Sequence, residues 1–174
     1  MRTQQSGFTM IEVLVTIGIL VVGLLGLAAL QTLTTVSELE AYQRSQAIVL
    51  VRDMADRMNG NKMNLPSYIT APDVGTSAAS CATLTGAALD LCEWGNELNG
   101  ASEKAGSSNV GSMIGARGCV VRIDPTNYLV TVAWQGVAKG GAEPQEACGS
   151  GAYGAPGLRR TVSTVVTLAL LAAP

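Results

Sequence analysis

Residues 13–30 read VLVTIGILVVGLLGLAAL, and this stretch decides how the chain is built. It sits in a longer run, Val13 to Ser37, of 25 residues without a charge, bounded by Glu12 and Glu38. Between Val13 and Leu30 only Thr16 interrupts the apolar character. A helix of about 20 such residues spans a bilayer core of about 30 Å. Gly18, Gly23 and Gly26 are tolerated in a membrane helix and let a neighbouring backbone come close. Buried core helices seldom hold more than about 14 such residues in a row, so the stretch reads as a membrane segment.

The flanks orient it. Arg2 and the α-amine precede the segment with no acid beside them, whereas Glu38 and Glu40 follow it. The positive-inside rule keeps the N-terminus cytoplasmic and exports the rest. Cys81, Cys92, Cys119 and Cys148 all lie downstream, an even number on the side where disulfides form. The remaining composition removes whole classes of function. Of 174 residues 48% are hydrophobic and 14% charged, with 20 glycines, no histidine and a net charge of −2. Without histidine there is no Ser-His-Asp triad, no Cys-His dyad and no HExxH zinc site. A GxxxxGK[ST] phosphate loop, a GxGxxG after a strand and a GxSxG elbow are also missing, and no basic face invites nucleic acid. No catalytic residue, cofactor or metal site is expected; the cysteines lack a CxxC pair.

The leader is unusual. An ordinary secretory signal is cut after its apolar region. Here the small residues suited to cleavage, Ser6 and Gly7, come before it. Cutting after Gly7 removes Met1 to Gly7, keeps the membrane helix and creates a new amine on Phe8. Glu12 then stands fifth in the mature chain. A carboxylate costs up to about 2.5–3.5 kcal/mol at the bilayer centre, less near the interface, so it needs a partner. The Phe8 amine, on the same chain or on a neighbouring copy, is the nearest cation. Pairing between chains would draw the helix into a bundle and fix its axial stagger.

The residues Gly7-Phe8-Thr9-Met10-Ile11-Glu12-Val13-Leu14-Val15 resemble the class III leader junction of type IV filament proteins, the pilins and pseudopilins. That resemblance implies prepilin peptidase cleavage between Gly7 and Phe8, N-methylation of Phe8, and contact of Glu12 with a neighbour's amine during assembly. Major pilins of the family usually bend this helix with a proline, where this chain has Ala29; its first proline is Pro66. A straighter helix favours a minor subunit over the bulk of a filament.

Val36 to Met58 holds no proline or glycine and is rich in helix formers. Ala47, Leu50, Val51, Met54 and Met58 keep the spacing of one apolar face, and Glu40–Arg44 offers an i,i+4 pair. Asn59-Gly60-Asn61 supplies a stop. A helix from Phe8 to Asn59 would be roughly 78 Å long. Lys62 to Ser80 reads as a loop and Thr85 to Leu98 as a short helix, with Trp94 a core anchor whose indole needs one acceptor. Ala116 to Asp124 and Tyr128 to Gln135 read as strands joined by Asp124-Pro125-Thr126-Asn127. Tyr128, Val130, Val132 and Trp134 share one face of the second. Leu158 to Leu170 reads as a third strand, with Val162, Val166, Leu168 and Leu170 on one side and Arg159 and Arg160 on opposite faces, one partnered and the other solvated. Gly136 to Gly157 is too rich in glycine to pack a core and reads as a long surface loop. Glu93, Glu97 and Glu103 show no partner geometry. The four cysteines allow three pairings; Cys81–Cys92 with Cys119–Cys148 is preferred, because the second bond pins the glycine-rich loop to a strand.

The expected architecture is α+β and pilin-like: a long N-terminal α-helix packed on a C-terminal antiparallel β-sheet head. Its parts are a removed leader (1–7), a transmembrane and assembly half-helix (8–35), an amphipathic half-helix (36–60) and a periplasmic head (61–174). The Asp90-Leu91-Cys92-Glu93-Trp94 segment, the Val130 to Trp134 run and the Leu158-Arg159-Arg160 start of the last strand resemble PilV-type minor pilins. That resemblance implies a minor pilin, anchored once in the inner membrane before assembly and extracellular in the pilus afterwards, that primes assembly near the tip. It implies as partners other minor pilins, the major pilin, a large tip adhesin and prepilin peptidase, in fibres that serve adhesion and twitching motility. A type II secretion pseudopilin is the same-class alternative; a DNA-uptake receptor would need a basic, aromatic face.

Overall fold

With no proline before Pro66, nothing in the sequence breaks the first helix, and α1 runs from Met10 to Gly60. The computed structural model describes residues 7–71, 73–111 and 113–168. The chain divides into two compact units, Met1–Leu39 and Glu40–Pro174. In the first, the described residues from Met10 onward are helical and outward-facing; Leu20 is 62% exposed and Leu25 67%.

The second unit carries a core. The inward face of α1 is Gln43, Ala47, Val51, Met54 and Met58, with Leu50 partly buried. Directly after α1, a 3-10 helix spans Lys62–Tyr68 and turns Leu65 and Tyr68 fully inward. A loop was expected there. Pro66 is compatible with the tight helix, and Asn61 bridges its two ends, accepting from Asn64 Nδ2 (2.7 Å) and donating to Tyr68 Oη (3.1 Å). Helix α2, Ala87–Leu98, follows, and then a small hairpin of β1 (Lys104–Ala105) and β2 (Ser108–Asn109).

Strands β3 (Arg117–Arg122), β4 (Asn127–Gln135) and β5 (Arg159–Thr167) form one antiparallel sheet in sequence order. Its inward face is the one that alternation selects: Tyr128, Val130, Val132 and Trp134 are all at most 2% exposed. On β5, Val166 is buried and Val162 and Leu168 pack against the core, whereas the expected Leu170 lies outside the described residues. The layer between α1 and the sheet is closed by Trp94, which is fully buried and gives its indole N–H to the Leu50 carbonyl at 2.9 Å. Gly118 on β3 is what admits that ring: a Cβ there would overlap its six-membered ring. The β3–β4 turn is held by Asp124, whose carboxylate accepts from the Thr126 and Asn127 backbone N–H groups at 2.8 and 2.9 Å. Both disulfides take the preferred pairing, Cys81–Cys92 and Cys119–Cys148.

Candidate functional site

At the expected leader junction, Gly7 and Phe8 precede the helix in irregular, exposed chain; Phe8 is 82% exposed. The Thr9 carbonyl accepts the first two turn bonds, from Glu12 N–H (3.1 Å) and Val13 N–H (3.4 Å). Glu12 therefore sits in the first turn of α1, where unpaired N–H groups favour a negative charge. Its side chain is exposed and makes no ion pair or hydrogen bond among the described residues.

Within the uncharged run the threonine hydroxyls are satisfied inside the helix. Thr16, Thr32, Thr34 and Thr35 each return their hydroxyl to a carbonyl of the preceding turn, at 2.9, 3.2, 3.0 and 3.0 Å. A hydroxyl bonded within its own helix presents no unsatisfied donor to lipid. Around Gly18, Gly23 and Gly26 there is nothing within 4 Å of where a Cβ would lie, so each leaves a notch into which a second helix can fit.

In the head, charged groups tie distant segments together. Glu40 turns away from Arg44: its Oε1 accepts the N–H of Val137 (2.7 Å) and of Ala138 (3.2 Å), and its Oε2 lies 3.4 Å from Arg160 Nε. Arg160 in turn donates to the Ala138 and Gly157 carbonyls, so the base of the glycine-rich loop is bound to α1. Arg159 is 6% exposed and serves as a hub. It pairs with Glu143 at 3.0 Å and donates to the backbone carbonyls of Pro144, Glu146 and Cys148. Both arginines are partnered, where one was expected to be solvated. The Arg159 bond and the Gly157 N–H hold the Glu143 carboxyl below the usual range.

The loop itself also departs from expectation. Cys119, Ala133, Cys148 and Tyr153 form a second small core on the outer face of the sheet. Burial pushes the Tyr153 phenol up to about 12, and its hydroxyl donates to the Gly115 carbonyl at 3.0 Å. Glycine supplies the turns and one tyrosine supplies the packing. Asp73 lies near the Cys119–Cys148 sulfurs, but those are bonded to each other and offer no thiolate; its carboxylate accepts from Gly149 N–H at 3.1 Å.

Glu93 and Glu97 also acquire partners. Arg57 meets Asp53 (2.8 Å), Glu93 (2.6 Å), Glu97 (3.4 Å) and Asp90 (3.6 Å). Burial lowers the Arg57 pKa, but the bonds to Glu93 and Asp53 outweigh it and raise it. Burial and the nearby Asp53 charge push Glu97 up, offset in part by Arg57. Asp90 also accepts the Tyr68 hydroxyl. The cluster fastens α2 to α1 and to the 3-10 helix.

Residues 2–28 match the family model of the prokaryotic N-terminal methylation motif. Residues 29–95 match that of the Tt1218-like family, type IV pilin Tt1218. No curated protein and no solved structure matches. The two matched stretches abut at residues 28 and 29, cover the junction, α1 and most of α2, and together support a type IV pilin.

Proposed function

We propose that this chain is a PilV-type minor pilin: a non-enzymatic subunit that joins a type IV pilus and helps to prime its assembly. Prepilin peptidase removes Met1 to Gly7, and the Phe8 amine is N-methylated. The N-terminal half of α1 holds the subunit in the inner membrane, with the head in the periplasm, until extraction into the fibre. The observation that carries this reading is the uncharged run of 25 residues with Glu12 alone before it, five places beyond the Gly7–Phe8 junction, in a helix with outward-facing apolar side chains. Membrane lipid covers those side chains first and the helices of neighbouring pilins cover them later, with Glu12 finding a neighbour's Phe8 amine and setting the axial register. The absence of a proline before Pro66 supports a minor role. The disulfide-stapled head presents the surfaces that meet other minor pilins, the major pilin and a tip adhesin.

Glu12→Ala is expected to be processed normally and to accumulate in the inner membrane while its level in sheared filaments falls at least tenfold. Immunoblots of membrane and filament fractions read both quantities. Incorporation at the parental level would contradict the registration mechanism.

A further inference from the structure

The three-stranded sheet has two edges, and the chain treats them differently. On β3 the outward peptide groups of Gly118 and Val120 are taken. Gly118 exchanges two 2.9 Å bonds with Val74; Val120 gives its N–H to Thr70 Oγ1 (2.9 Å) and accepts the Thr70 N–H (3.0 Å). On β5 the flanking bonds set the phase. Gly136 N–H reaches the Leu158 carbonyl and Leu168 N–H reaches the Thr126 carbonyl. In an antiparallel ladder these positions alternate, so the even-numbered residues of β5 bond to β4 and the odd-numbered ones face outward. Thr161, Ser163, Val165 and Thr167 therefore present their backbone N–H and C=O groups at the open edge, and among the described residues none of these groups has a partner.

Exposed edges are usually blunted by a charge, a proline, a bulge or shortness. Residues 161–167 have none of these: the sequence is TVSTVVT, and its register with β4 is unbroken. Beside the edge the outer face is apolar only around Val165 (51% exposed), which pairs with Leu129, which pairs with Val121 (42% exposed); at the Thr161 end the Glu146 carboxylate accepts from the Thr161 and Ser163 hydroxyls at 3.2 and 3.3 Å.

We propose that this edge receives an extended segment of a neighbouring, different filament subunit, which adds beside β5 as a fourth strand with an apolar residue against Val165. Open peptide groups select an extended backbone, and the Val165 side selects an apolar residue on it. The inference rests on the filament-subunit reading; a minor subunit has other pilins, not its own copies, as neighbours.

Amide exchange tests it on the full chain, first in detergent micelles and then in sheared filaments. In micelles the amides of Ser163 and Val165 should exchange fast while those of Val162 and Thr164 are protected; in filaments all four should be protected. Val165→Pro removes one outward N–H and no bond to β4, and Val165→Lys puts a charge on the edge. Each should lower incorporation several-fold while both disulfides still form. If the chain is found in filaments with the alternation unchanged, strand addition is overturned and the filament reading stands. If it is absent from filaments, both fall. Protection of all four amides in the chain alone as its concentration rises identifies a second copy as the occupant and overturns the proposal.

Discussion

Residues 13–30 and residues 43–58 lie on the same α-helix, yet they treat their apolar side chains in opposite ways. In the first, Leu20 and Val21 are 62% and 50% exposed; in the second, Ala47, Met54 and Met58 are fully buried. Both are helical, although the first holds three glycines and the second none. The second stretch gathers most of its apolar residues into a stripe that the head covers, with Val49 and charges such as Arg52 and Asp56 outside it. The first is apolar all round, and no single face can satisfy it. A helix of that kind needs lipid or other helices on every side. Pattern, more than composition or secondary structure, determines what each half requires as a partner.

The comparison can be broken by paired truncations. Met54→Ala should cost the head about 2–5 kcal/mol, whereas Leu20→Ala should leave its unfolding midpoint unchanged. Denaturant titration of the full chain in micelles, followed by tryptophan fluorescence from Trp94 and Trp134, reads both. A Leu20→Ala effect as large as the Met54→Ala effect would mean that the two units do not differ as described.

Next in size are the staples within the head. The bonds close sequence separations of 29 for Cys119–Cys148 and 11 for Cys81–Cys92. Loop-closure entropy then predicts losses of about 3.6 and about 2.8 kcal/mol on replacing each pair by serine. Removing Cys119–Cys148 should also raise protease cleavage between Gly136 and Gly157. Equal losses with no new cleavage would show that the loop is held by Arg159 and Tyr153 alone.

The smallest effect is a pH dependence. Hydrogen bonds from Asn127 and Thr126 lower the Asp124 carboxyl from 3.8 to about 2. A carboxylate depressed by folding contributes stability that is complete above its ordinary value and disappears as pH falls through its folded value. The turn should therefore loosen between about pH 4 and pH 2, and Asp124→Asn should remove that acid-dependent step in thermal melts. An identical acid profile in the variant would move the step to another group.

Wherever one periodicity acts over a local stretch, the fold was legible in the sequence. The uncharged run, the stripe from Ala47 to Met58, and the alternation from Tyr128 to Trp134 each announce their element. Polar ties across long separations were not legible, because they depend on geometry that no local pattern encodes. Glu40 stands four residues from Arg44 but pairs with Arg160, 120 positions away. Arg57 gathers acids from two helices, and Arg159 is surrounded by backbone carbonyls, a partner type that every residue carries. The 3-10 helix at Lys62–Tyr68 was hidden because a proline among small polar residues also reads as loop. The glycine-rich loop concealed its one packing residue, Tyr153, behind its average composition. At the junction, Gly7, Phe8 and Glu12 stand out through their resemblance to the class III leader pattern, and their roles belong to the proposed function.

The most direct test of the central claim is the intact mass and N-terminal sequence of the protein recovered from native membranes and sheared filaments. The account predicts a mature chain beginning at N-methylated Phe8, with both disulfides intact. A chain still beginning at Met1 in cells with active prepilin peptidase would contradict it and leave an ordinary membrane-anchored domain.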